Sequence, residues 1–249
     1  MVYKEPDELN TPLLSIVIPA YNEERRITAT LDTVMFYLEA QTYSWELIVV
    51  DDGSTDRTAS LLAGWAEKND RFKVTSLPHR GKGFAVKHGM LQAQGRYRLM
   101  CDADLAVSIE YLGEFLNAIH GNSDIIIASR QKTGARRIHE PLFRHLRGRL
   151  FNLAIRLLVI PTLSDTQCGF KCFEAEVAET LFSLQKTAGF GFDVEVLYLA
   201  RKLGHRIVEQ PVDWYHREDS TVRPLVDWFV MLTDVIMIRL RDLTGKYKV

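Results

Sequence analysis

Three groups of acidic residues follow short apolar runs: Tyr21-Asn22-Glu23 after residues 14–18, Asp51-Asp52 after residues 46–50, and Asp102-Ala103-Asp104 after residues 96–101. If those runs are adjacent strands of a parallel sheet, the carboxylates converge at its carboxyl end and repel one another unless a cation lies between them. A hard divalent ion, Mg2+ or Mn2+, carrying its ligand's phosphates suits such a place, since Mg2+ is commonly held by one or two carboxylates plus phosphate oxygens. The spacing of Asp102 and Asp104 helps, because alternate residues leaving a strand point the same way. Any one of these acids alone reads equally as a helix cap or a solvated turn residue. Three acidic strand ends together favour the cation.

A dinucleotide fold would place G-x-G-x-x-G after the first strand, where this chain has Pro19-Ala20-Tyr21-Asn22-Glu23, and there is no G-x-x-x-x-G-K-[ST] loop. NAD, FAD and P-loop chemistry are thereby disfavoured. Arg80-Gly81-Lys82-Gly83 is a glycine-rich basic loop that reads either as a tight turn before a helix or, beside the acids, with Lys82 as a cation on the donor side.

These residues need a scaffold, and the order of patterns supplies one. Buried-strand runs at 14–18, 46–50, 73–77, 96–101 and 124–129 alternate with helical spacings, as in Ile27, Leu31, Val34 and Leu38. Ser54 is placed to cap the helix carrying Ala59, Leu62 and Ala66. Alternation implies right-handed crossovers and an α/β fold with a mainly parallel central sheet flanked by helices, whose carboxyl-end loops hold the ligand. After Ser129 the pattern turns to long helices with one strand near 206–212. The 249 residues, 47% apolar and 25% charged, show no linker or repeat. They read as a polar tail, 1–12, and a single domain, 13–249. Cys101, Cys168 and Cys172 lack paired spacing and are expected as buried free thiols of a reducing compartment.

The formal net charge is −1, which gives no reason to expect nucleic acid. Yet residues 130–156 carry eight Lys/Arg against Glu140 alone, a local excess of +7, so the rest of the chain sums to −8. Within 136–156, Pro141 suits a first helical turn, and Phe143, Leu146, Leu150, Leu153 and Leu157 share one face with Arg147, Arg149 and Arg156 at its edges. Arg137 and Arg144 lie opposite. Such a helix fits a membrane interface with anionic headgroups, or equally the core with a solvated basic face. A second helix, about 223–241, is apolar all round and is expected to pack in the core. No stretch reaches the roughly 20 apolar residues that span a bilayer, and the N-terminus lacks the apolar segment of a signal peptide.

The segments IVIPAYNEE, VVDDGSTDRT, HRGKGFAVKHGM, CDADLA, IIIASR, SDTQCGFKCF and GFDVEVLYLARKLG resemble the inverting glycosyltransferases of family 2, which have the GT-A fold. The similarity runs over residues 13–247 and is strongest, through DTQCGFK and IRLRDLTGKY, to the dolichyl-phosphate β-glucosyltransferase branch. Dolichyl-phosphate mannose synthases are similar over the first half. The resemblance implies a nucleotide-sugar half, 13–130, and an acceptor and membrane-interface half, 131–249, with amphipathic interface helices. It implies that Pro19, Ala20, Tyr21 and Glu23, with Asp52 beside them, bind the nucleotide, joined by Lys82, Asp102 and Ala103. Asp102 and Asp104 match the Asp-x-Asp metal motif. Arg130 and Arg144 match contacts to a lipid phosphate, and Lys171, Arg217 and Ser220 complete a cationic collar. Thr221 stands where relatives often have Lys, which leaves loop closure to Arg217 or Arg223. Relatives carry membrane anchors that this chain lacks, so a cytoplasmic protein peripherally bound at the membrane is expected.

The implied reaction moves glucose from UDP-glucose to a polyprenyl phosphate with inversion. A lipid phosphate is ionised near neutral pH and needs no general base. It needs positive charge, from Arg130, Arg144 and Lys171, and in-line orientation, while Asp104 with its metal and Arg217 stabilise the leaving diphosphate. GDP-mannose is the alternative donor. A hydroxyl acceptor would require a base such as Asp165 or Asp193, although Asp165 also reads as a loop-structuring carboxylate. A silent nucleotide-sugar-binding scaffold is disfavoured by the intact Asp52, Asp102 and Asp104.

Overall fold

The structure, a computed structural model, describes residues 11–121, 123–141, 155, 159–217 and 226–247. Arg144, Ser220, Thr221 and Arg223, and the expected apolar face of Phe143, Leu146, Leu150, Leu153 and Leu157, lie outside the described residues.

Five β-branched or aliphatic runs become β1 (Leu14–Ala20), β2 (Trp45–Asp51), β3 (Phe72–Ser76), β4 (Tyr97–Cys101) and β5 (Ile125–Ser129). They alternate with α1 (Ile27–Glu39), α2 (Thr58–Ala66), α3 (Lys82–Gln92) and, after a 3-10 turn, α4 (Leu112–His120). Both faces of the sheet are covered, so the strands read as continuous apolar runs rather than alternating ones. Ile16 and Ile18 join one core layer with Leu31 and Phe115, and Val17 joins the other with Val86 and Met90.

The C-terminal half holds more strand than its sequence pattern predicts. Besides β8 (Ile207–Pro211), the described residues include β6 (Arg136–Ile138), β7 (Phe170–Glu174) and β9 (Asp213–Tyr215), with α5 (Ala175–Leu184), α6 (Phe192–Lys202) and α7 (Val226–Leu243). The main sheet runs β3-β2-β1-β4-β7-β5-β8, with β7 antiparallel to both its neighbours and the other pairs parallel. β6 and β9 form a separate parallel pair. Arg136 and Arg137, expected on an amphipathic helix, therefore lie in a strand. There Arg136 pairs with Asp213, and Arg137 bonds Glu140 and the Arg130 carbonyl.

Chain order reverses between β1 and β4, each of which starts a different arm of the sheet. At such a switch point the flanking loops diverge and leave a crevice outside the carboxyl ends. The Tyr21–Glu23 and Asp102–Asp104 loops flank it.

α7 corrects a second expectation. Val235 and Ile238 are buried, but Phe229, Ile236, Leu240 and Leu243, which share one helical face, are exposed, Phe229 by 62% and Leu243 by 83%. Val230 and Met237 extend that face and are also exposed. Half of this helix packs in the core, and the other half turns apolar side chains to solvent. Among the described residues no helix is long and apolar enough to cross a membrane. The three cysteines are buried free thiols, as expected.

Candidate functional site

The acids do not all meet. Asp102, Asp104 and Glu23 share one electrostatic neighbourhood at the switch point, whereas Asp51 and Asp52 turn to the backbone. Asp51 accepts the N–H of Ser54 (3.1 Å). Asp52, only 2% exposed, accepts the N–H groups of Arg80 (2.9 Å) and Gly81 (2.8 Å) and lies 2.8 Å from His79 Nδ1. Its carboxylate shapes the 79–81 loop rather than opening to a ligand. Ser54 caps no helix: its hydroxyl accepts the Asn22 N–H (2.9 Å) and ties the loops after β1 and β2 together. Sequence reasoning missed His79, whose ring stacks on Tyr21 at 4.0 Å between centroids, 18° from parallel. The two rings form a flat aromatic wall beside Pro19 and Ala20, the end of β1.

Around the Asp-x-Asp turn the backbone is tightly held. Thr30 donates to the Ala103 carbonyl (2.6 Å), and the Ala106 N–H donates to Asp104 Oδ1 (3.0 Å). Leu105 has φ +45, a left-handed conformation that costs a branched residue energy and is kept where surroundings impose it. Asp102 rests on Gly169: its N–H donates to the Gly169 carbonyl (3.0 Å), and a Cβ at residue 169 would lie 1.9 Å from Asp102 Oδ2. Only glycine allows that approach.

The negative charge here is under-compensated. Burial, then the neighbouring Asp102 charge, raises the Asp104 carboxyl above its ordinary range. Burial also pushes Glu23 up to about 7; Arg26, 2.6 Å away, opposes it while Asp104, Asp102 and Asp56 reinforce it. Carboxyls whose ionised form is disfavoured by burial and by one another suit a divalent cation, and Asp102 and Asp104 are the residues that would hold it. No group of three or more ligating side chains stands ready among the described residues, so a diphosphate would have to complete the shell.

Cations ring the cleft. Lys82 Nζ is 2.6 Å from Asp102 Oδ1, and Arg217 lies on the acidic turn, donating from Nε to the Asp104 carbonyl (3.2 Å). β9 runs beside this turn, its Tyr215 N–H donating to the Ala106 carbonyl (2.8 Å). Trp214 of β9 carries the Arg130 guanidinium 5.5 Å above its ring. Arg130 grips Asp165 from Nε (2.7 Å) and Nη2 (2.8 Å), a bidentate pair. Burial would raise the Asp165 carboxyl, but Arg130 and the N–H groups of Arg130 and Gln167 bring it down to about 2. Asp165 is thus the loop-structuring carboxylate, held in turn by Glu209, which accepts the N–H groups of Ser164 and Asp165.

Lys171 requires correction. It sits mid-strand in β7, 1% exposed, with Nζ on Asp193 Oδ1 (2.5 Å) and the Cys168 carbonyl (2.7 Å). Its charge is paired inside the protein, which favours an internal support over the acceptor contact expected of it. The site therefore joins Glu23, Lys82, Asp102, Ala103, Asp104 and Arg217, with Arg130 beyond Trp214, and leaves Lys171 and Asp52 as supports.

The family model described as Glycosyl transferase family 2 matches residues 15–182. The human protein named dolichyl-phosphate beta-glucosyltransferase is 36% identical over 253 residues, 96% of this chain and 78% of its own length. Its namesake from Dictyostelium discoideum is 34% identical over 250 residues, 95% of this chain and 76% of its own. Glucosyl-3-phosphoglycerate synthase from Mycobacterium tuberculosis, crystallised with Mn2+, UDP-glucose and phosphoglyceric acid, has the same fold. Its TM-score is 0.67 at 21% identity, over 95% of this chain and 80% of that one.

Proposed function

The chain belongs to glycosyl transferase family 2, and on that premise we propose that it transfers glucose from UDP-glucose to dolichyl or another polyprenyl phosphate, with inversion, to give a β-linked lipid phosphosugar. The observation that carries this reading is the under-compensated Asp102–Asp104 turn at the switch point, faced by Lys82 and Arg217, in a chain whose full-length relatives are named for that activity.

The nucleotide enters along the Tyr21–His79 wall, its diphosphate toward Asp102 and Asp104. Bound there, Mg2+ or Mn2+ supplies Lewis-acid stabilisation of the departing diphosphate. Arg217 adds a charge clamp on the leaving side, already seated on the acidic turn. Arg130, pre-oriented by Asp165, offers positive charge to the acceptor phosphate. Arg144 and Ser220 are assigned to the acceptor on sequence grounds.

The fate of the two candidate bases favours a phosphate acceptor over a hydroxyl one. Asp165 is locked by Arg130 and held to about 2, so it is not poised to take a proton near neutral pH; burial raises the Asp193 carboxyl, but that group is 4% exposed and engaged by Lys171, away from an incoming hydroxyl. A lipid phosphate needs no such base. The exposed apolar face of α7, together with the basic 130–156 segment, supports peripheral contact with an anionic membrane.

The test is transfer of radiolabel from UDP-glucose into the organic phase with dolichyl or undecaprenyl phosphate and Mn2+ or Mg2+. GDP-mannose and 3-phosphoglycerate serve as competing donor and acceptor. Label in lipid from UDP-glucose is expected; label confined to a water-soluble product would overturn the lipid reading. Flotation with phosphatidylglycerol vesicles should weaken for Leu240→Ser and Leu243→Ser, and unchanged flotation would remove α7 from the membrane contact.

A further inference from the structure

Lys82 Nζ lies 2.6 Å from Asp102 Oδ1, on a carboxylate that a divalent ion would use. The backbone beneath Lys82 is fixed. Gly81 has φ +114 and a Cβ there would lie 2.8 Å from the Ala188 carbonyl; Phe84 N–H donates to that carbonyl (3.0 Å), and Asp52 holds the N–H groups of Arg80 and Gly81. Asp102 is equally fixed, seated on Gly169. The lysine side chain is therefore the movable part. A second carboxylate, Asp193, also faces Lys82, but Lys171 already pairs with it at 2.5 Å. Among the described residues the direct ion pair of Lys82 is with Asp102, the other acids acting from further off, which leaves the ammonium exchangeable. Burial alone would lower its pKa, but Asp102, Asp193 and Asp104 outweigh burial and keep the ammonium charged.

We propose that Lys82 is an internal counter-ion that keeps free divalent metal off Asp102 until the metal arrives with a nucleoside diphosphate, when the ammonium passes from the carboxylate to the diphosphate. A bare divalent ion entering the site meets a fixed-base ammonium of like charge. A divalent metal on UDP leaves a net negative complex that the ammonium attracts, and on UDP-glucose a neutral one whose phosphate oxygens the ammonium can still bind, whereas the bare ion is repelled. Metal and nucleotide then bind as one unit, and the ammonium is already in place to steady the leaving group. This inference rests on reading Asp102 and Asp104 as the metal–diphosphate site.

The measurement is Mn2+ binding by electron paramagnetic resonance, with and without UDP, on the wild-type chain, Lys82→Met and Lys82→Arg. Wild type should bind free Mn2+ weakly and Mn2+ with UDP tightly. Lys82→Met should gain about fivefold or more in affinity for free Mn2+, the scale of one partly screened ion pair, and lose affinity for UDP. Lys82→Arg, which keeps the charge, should still exclude free Mn2+. If methionine at the helix start prevents folding, Lys82→Gln carries the same expectation. A folded neutral variant whose free Mn2+ affinity matches wild type, with UDP binding intact in wild type, overturns the counter-ion role alone. Failure of wild type to bind UDP with Mn2+ overturns the nucleotide-sugar reading as well.

Discussion

Replacing Lys171 with Met decides between two roles for that residue, since the family resemblance makes it an acceptor contact and the fold makes it an internal support. Lys171 is 1% exposed and Asp193 5% by side chain, with 2.5 Å between charges and a further bond from Nζ to the Cys168 carbonyl. β7, which carries it, is hydrogen-bonded on both sides, to β4 and to β5. Methionine removes the direct partner of Asp193 and leaves its carboxyl buried with only the more distant Lys82 charge to oppose burial, a loss of about 3–5 kcal/mol for a buried pair broken on one side. For a domain of this size that corresponds to a drop in Tm of roughly 6–20 °C. Replacing both partners, as in Lys171→Met with Asp193→Leu, removes the uncompensated charge and should recover most of the loss. Urea unfolding of the three proteins, with the KM for polyprenyl phosphate measured well below the melting range, separates the roles. A destabilised Lys171→Met with acceptor KM within about twofold of wild type is expected. Wild-type stability with a tenfold higher acceptor KM would show that the lysine leaves Asp193 to meet the acceptor, and the support role would be refuted.

Asp104→Asn should reduce turnover at least about a hundredfold, from loss of charge stabilisation on the leaving group, while unfolding remains cooperative; activity near wild type would remove Asp104 from the metal site. Gly169→Ala places a methyl 1.9 Å from Asp102 Oδ2 in the present geometry, so the carboxylate must shift. Mn2+–UDP affinity by calorimetry should fall tenfold or more with the far-ultraviolet spectrum unchanged, and unchanged affinity would show that Asp102 is not a ligand. Glu23 has a folded pKa near 7 against 4.5 when unfolded, so the native state binds its proton more tightly. The stability from this group is complete below pH 4.5 and is lost as pH rises through 7, making the ligand-free protein more stable at pH 5 than at pH 8 on this account. Glu23→Gln should flatten that slope in urea titrations across the window; an unaltered slope would assign it to another group.

The parts of this fold that were legible in sequence are those where local pattern and tertiary role coincide. β1, β2, β4 and β5 are covered on both faces, so burial leaves unbroken apolar runs, and the acids that end β1 and β4 announce a ligand because a parallel sheet brings such ends together. β7 escaped because Lys171 interrupts its run, and the partner that makes a buried lysine tolerable, Asp193, comes 22 residues later on α6. A short strand with a buried charge in its run looks like a loop until the opposing charge is found in space. Asp51-Asp52 misled for the converse reason: acids at a strand end can as well accept backbone N–H groups of the next loop, and only the fold of residues 79–81 shows that Asp52 does so. α7 was undecidable in principle, since a helix apolar all round carries no periodic signal of which half is covered. Its solvent-facing stripe appears only once Val235 and Ile238 are seen to take the core side. That stripe and the Asp102–Lys82 contact share a physical origin. On the proposed function both are groups whose partner would lie outside the chain, a lipid surface in one case and a metal–diphosphate in the other, so the chain would encode half of each contact and fill the rest provisionally, with solvent or with its own lysine.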